Sequence, residues 1–107
     1  MVEKQYRFTR SDDKVIERIL EDENVAVNHM ILRRGEALPE HFANSNVTMI
    51  VIRGTVTLRL DAQEDHAYPA GSILTIPFRT KMNVSNQNDE VMEIFVLKAP
   101  WPGKMKQ

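Results

Sequence analysis

With 107 residues, 42% hydrophobic and 27% charged, the chain has the size and composition of one soluble globular domain, taken as residues 1–107. Its 14 basic and 15 acidic residues leave a net charge of −1, which excludes the strong field that would draw a protein onto nucleic acid or an anionic membrane. Zero cysteines exclude disulfides and thiolate metal sites, no apolar run reaches the about 18 residues of a membrane span, and Met1-Val2-Glu3-Lys4-Gln5-Tyr6 lacks an apolar signal region, so cytoplasmic residence is expected.

The first element has two readings. Ser11-Asp12-Asp13 can cap a helix over 14–20, with Val15, Ile16, Ile19 and Leu20 on one face. The same residues can form an edge strand that Glu21-Asp22-Glu23-Asn24 turns into a hairpin. The hairpin agrees better with the rest of the chain, which is β throughout. Residues 25–32 suit a strand ended by Arg33-Arg34-Gly35. Residues 48–52 are a short apolar run rich in β-branched side chains, too short for a buried helix. Gly54 breaks it, and 55–60 then alternates polar and apolar, so one face is buried and the other wet. Asp61-Ala62-Gln63-Glu64-Asp65 and Tyr68-Pro69-Ala70-Gly71 read as turns, and 72–76 as a strand stopped by Pro77. After the turn Asn86-Gln87-Asn88-Asp89-Glu90 comes a last strand over 91–97. The two prolines of Ala99-Pro100-Trp101-Pro102-Gly103 exclude a helix or a central strand. Trp101 either caps an open end of the fold or packs on a second subunit. Short strands divided by turn clusters at this spacing define an all-β sandwich or barrel.

Two stretches carry more. Gly35, His41, Ala43, Val47 and Gly54 follow one another in the frame G-x5-H-x-A-x3-V-x6-G, and Pro77, Met82 and Asn86 follow as P-x4-M-x3-N. This resembles the two cupin motifs, G-x5-H-x-H-x3-4-E-x6-G and P-x-G-x2-H-x3-N, over about residues 33–98. The resemblance implies a double-stranded β-helix, a jelly-roll-like antiparallel barrel of two packed sheets, and a homodimer. It also implies the space in which family members hold iron, manganese, nickel, zinc or copper on three histidines and a glutamate. Here Ala43, Val47 and Met82 stand where three of those ligands belong. Ala43 and Val47 have no lone pairs to give, and a lone imidazole with a thioether is a poor set for a hard or borderline ion. No metal cofactor is therefore expected. The alternative is a divalent metal on a site rebuilt from His41 and His29, with Glu40 or an asparagine.

Strand alternation makes the expected ligand pocket His41, Ala43, Ser45, Val47, Met49, Met82 and Val84, with Val51 on the same wall. His41 is its titratable group and catalytic candidate. Neutral, it donates one hydrogen bond and accepts another; it either anchors a ligand or bonds a backbone group at the barrel mouth. His29 is expected to be partly buried on a backbone or water partner, and His66, Arg79 and Lys81 to sit in solvent. Asn44 and Asn46 either cap a turn or line the pocket rim, and Asn86 is structural.

The expected function is a small-molecule- or partner-binding cupin without a family-type metal. The alternative is an enzyme: a metal-dependent oxygenase or isomerase on a rebuilt site, or a metal-independent isomerase or lyase with His41 as base. Neither a nucleophile motif nor a phosphate loop is present. No nucleic-acid or membrane partner is expected, and substrate identity is not encoded in fold membership.

Overall fold

Alternating aliphatic and polar residues form nine strands in a computed structural model, which describes residues 1–105. They are β1 (Val15–Glu21), β2 (Ala26–Leu32), β3 (His41–Phe42), β4 (Val47–Arg53), β5 (Thr55–Leu60), β6 (His66–Pro69), β7 (Ile73–Ile76), β8 (Lys81–Ser85) and β9 (Met92–Lys98). A five-stranded sheet runs β1-β2-β9-β4-β7 and a four-stranded sheet runs β3-β8-β5-β6, with every pairing antiparallel. The sheets face one another. Leu32, Met49, Val51 and Ile94 of the first close on Val56, Leu58 and Val84 of the second, all within 2% of full burial. At about 25 cal/mol per Å² of apolar surface removed from water, this shared interior is what holds the two sheets together.

The ambiguous first element is a strand. β1 pairs with β2 from Val15↔Ile31 to Glu21↔Ala26, with a bulge between Arg18 and Leu20. The hairpin turn is closed by Asp22, whose Oδ1 accepts the backbone N–H of Asn24 at 2.8 Å and of Val25 at 3.1 Å. Two expectations need correction. Tyr68 and Pro69 are not a turn but the end of β6, because Tyr68 opposite Val56 packs its ring against the core. Pro69 is tolerated there because β6 is an edge strand and lacks a second neighbour to satisfy. The tail does contain a single 3-10 turn, Pro102–Lys104, with proline at its start, where the missing N–H has no partner to lose.

Gly54 has φ +69°, and a Cβ there would sit 2.2 Å from the Val91 carbonyl oxygen. The tight β4–β5 connection thus needs glycine for both conformation and space. Arg79 stands at the motif position that is glycine in the family pattern and keeps the left-handed backbone, φ 74°. Its guanidinium lies 4.9 Å from the centre of the Phe78 ring. Asn86, fully buried, donates to the carbonyls of Leu32 (2.9 Å) and Glu90 (2.8 Å) and accepts from the Asn88 N–H (3.0 Å). It ties the end of β2 to the turn before β9.

Candidate functional site in the barrel

Between the sheets lies a cavity of about 40 Å³. Its lining includes His41, Ala43, Val47, Met49, Met82 and Val84. Val47 and Met49 come from β4, Met82 and Val84 from β8, and His41 from the short edge strand β3, opposite Met82. Ser45 is fully buried but lies outside the lining, and its hydroxyl donates to the Pro100 carbonyl at 2.6 Å. The reason is local. Residues 43–46 form the loop between β3 and β4, where strand alternation no longer sets direction. Asn46 also works in this loop, accepting the Phe78 N–H on Oδ1 at 3.2 Å, while Asn44 lines the cavity.

His41 is exposed at the rim rather than enclosed in the wall. Its Nδ1 lies 2.9 Å from the Pro39 carbonyl oxygen. A carbonyl only accepts, so Nδ1 carries the hydrogen and the neutral ring presents an acceptor at Nε2.

The donor set does not fit a family-type metal. Of the four motif positions only His41 offers a nitrogen, and among the described residues no group of three or more His, Asp or Glu side chains converges as ligands for an ion. The rebuilt pair of His29 and His41 does not form either. His29 faces the outside of the five-stranded sheet, in the row Glu17↔His29↔Phe95↔Ile50↔Ile73. Glu40 is exposed and its carboxylate accepts from the Asn83 amide at 3.1 Å.

His29 is held by carboxylates of two neighbouring strands rather than by a backbone group. It is fully buried, with Nδ1 2.8 Å from Glu17 Oε2 and Nε2 2.5 Å from Glu93 Oε2. Phe8 and Phe95 pack on the ring at centroid separations of 4.8 and 5.0 Å. Glu17 also accepts the backbone N–H of Thr9 at 2.8 Å, and that bond, helped by His29, holds its pKa below the usual carboxylate value. Arg53 reaches from β4 to Asp12 (2.5 Å) and to the Ser11 carbonyl (2.6 Å), and its Nε lies 3.0 Å from Glu93 Oε1. That last approach is too poorly aligned for a hydrogen bond, so it is an electrostatic contact that leaves the buried Nε–H without an acceptor. These side chains strap residues 8–12 across the outer face of the sheet. A groove of about 830 Å³ beside the strap is far larger than the barrel cavity. It is a shallow external surface whose floor, Arg53 and Glu93, is already committed to the strap and to His29, so the barrel cavity is the candidate site.

One lining residue is absent from the sequence-based pocket. Lys98, at the end of β9, lines the cavity and is half-buried; burial pushes its pKa below the ordinary lysine value, and Arg18 adds repulsion. Its signal was available: Lys98 shares the strand parity of the buried Met92, Ile94 and Val96.

Two facing antiparallel sheets in this order, enclosing a motif-lined cavity, define a double-stranded β-helix. No family model matches the chain. It is 45% identical over 106 residues, 98% of its length, to the protein MJ0764 of Methanocaldococcus jannaschii, of which it covers 91%. The crystal structure of that protein, described as an RmlC-like cupin with a double-stranded β-helix fold, superposes with a TM-score of 0.94, over 97% of this chain and 96% of the other. An RmlC-like cupin from Desulfovibrio desulfuricans, 25% identical, superposes with a TM-score of 0.74 over 94% and 97% of the two chains. A double-stranded β-helix protein from Klebsiella pneumoniae, 18% identical, shares the fold at a TM-score of 0.76, over 90% and 84%. The chain belongs to the cupin family.

Proposed function

We propose that this cupin binds a small molecule at its barrel cavity without a family-type metal. One observation carries the reading: three of the four motif positions that would hold an ion are Ala43, Val47 and Met82, and all three line the cavity as apolar wall. Apolar walls with few polar groups are the usual make-up of small-molecule sites, and at about 40 Å³ this one admits only a very small ligand or one end of a larger one. The protein acts as a homodimer in the cytoplasm, consistent with its lack of cysteine, and has no nucleic-acid partner. None of the described helices is long and apolar enough to cross a membrane.

Elemental analysis of the purified protein tests the reading. We expect no stoichiometric transition metal, and saturable thermal upshifts confined to the smallest members of a panel of sugars, keto acids and phenolics, since a ligand that binds only the folded state raises apparent stability. A stoichiometric metal that disappears in His41→Ala would overturn it. A second reading, a metal-independent isomerase or lyase, draws on the His41 tautomer: with Nδ1–H held by Pro39, Nε2 is free to take a proton. Turnover of a panel member by the metal-free protein, lost in His41→Gln, would favour that reading.

A further inference from the structure

Lys98 stands in a cross-sheet row that runs Glu21↔Ala26↔Lys98↔Val47↔Ile76. It is the direct neighbour of Val47, the position at which the motif frame has lost its carboxylate. Paired residues of adjacent strands share a face, and Ala26, Val47 and Ile76 are all buried, so the row points into the barrel. Among the described residues the Lys98 ammonium makes neither an ion pair nor a side-chain hydrogen bond. The acid in its own row, Glu21, is engaged by Arg18 at 3.5 Å, and Arg18 opposes the Lys98 charge more than Glu21 supports it.

A half-buried cation with no anion in direct contact is unfavourable, since buried charges are normally paired. Here the place for that anion is the cavity itself. The surrounding wall is apolar, which strengthens any charge pair formed against it. Asn44, also in the lining, offers amide hydrogens. A water needs about 10–15 Å³ by the same measure, so about 40 Å³ admits the equivalent of about three waters. That accommodates the head of a short carboxylate and little more.

We infer that Lys98 is the anion-binding residue of the cavity and that its ligand is a short aliphatic carboxylate, held by the ammonium with its remaining atoms towards the mouth at His41. The inference rests on the metal-free reading of the barrel.

The test is a titration of ¹⁵N-labelled full-length protein with sodium acetate, with sodium chloride at matched ionic strength and acetamide as controls. Amide shifts of Ala43, Val47 and Lys98 should saturate with acetate and not with chloride or acetamide. Lys98→Met should weaken acetate binding at least tenfold, and Lys98→Arg should retain part of it. In the absence of acetate, Lys98→Met should melt no lower than wild type, because it removes an uncompensated charge; a clear drop would mark Lys98 as a structural residue and overturn the inference. So would equal acetate binding by Lys98→Met, or shifts that follow ionic strength alone. If acetamide binds as well as acetate, the carboxylate assignment falls while small-molecule binding stands. If neither probe nor any panel compound binds, both readings fall.

Discussion

The imidazole of His29 is held from both sides, by Glu17 at Nδ1 (2.8 Å) and by Glu93 at Nε2 (2.5 Å). Glu93 in turn lies against Arg53, so β1, β2, β9 and β4 all contribute to one polar group on the outer face of the sheet. Removing Glu93 leaves His29 Nε2 buried without its carboxylate partner and takes the neighbouring charge from Arg53, which is the costly way to break such a group. Glu93→Ala is therefore expected to lower the unfolding free energy by about 3–5 kcal/mol, read as a shift in the urea midpoint with an unchanged m-value. A loss below about 1 kcal/mol, the level of a surface pair, would mean that the network contributes little. None of this was legible in the sequence. Glu17, His29 and Glu93 are 12 and 64 residues apart from one another in the two bonds, and no spacing rule links them. The available hint was Glu93 itself, a carboxylate set inside the otherwise apolar strand 91–97, which needs a buried partner.

At the scale of elements, local chemistry was readable where one rule dominated. The strands over 55–60 and 91–97 showed alternation or an apolar run bounded by turn residues, and β5 and β9 form there. The β6 strand was hidden because Pro69 and Gly71 outweigh two apolar residues in any local reading; its pairing to β5 is a tertiary effect. The pocket was legible to the extent that strand parity held. Parity places Val47, Met49, Met82 and Val84 in the lining, and it fails for Ser45 because the β3–β4 loop is not a strand. The motif glycine Gly54 sets a sharper test. Gly54→Ala must place a Cβ into the Val91 carbonyl while holding φ near +69°. The backbone conformation alone costs about 1–3 kcal/mol, and the collision adds to it. We expect a destabilisation of at least 2 kcal/mol in order-of-magnitude terms by thermal or urea unfolding. Gly35, with φ +81° but open space around its Cβ position, supplies the control: Gly35→Ala carries the conformational cost without the collision and should lose less.

The whole molecule leaves one sheet face unfinished. The row that begins at Glu17 and His29 continues through Phe95 and Ile50 to Ile73 on the outside of the five-stranded sheet, and Ile73 is 66% exposed. Ile52 and Phe8, each 41% exposed, stand on the same side. Scattered apolar residues are ordinary on a surface, but a run of them across several adjacent strands forms a patch of the kind that subunits cover. A second copy is the occupant proposed here. A two-fold axis would set each apolar face against its equivalent, and the edge strands β1 and β7 lie at its borders, where a partner would shield their free backbone groups. Sedimentation equilibrium at micromolar concentration should then return twice the 12.4 kDa chain mass. Ile73→Lys combined with Ile52→Lys should shift the species to a monomer that keeps the far-ultraviolet spectrum of the parent, because neither side chain belongs to the core. A wild-type monomer under those conditions would refute the dimer. A dimer that survives the double substitution would move the interface elsewhere and return Trp101, half-buried at the end of the chain, to consideration as the subunit contact.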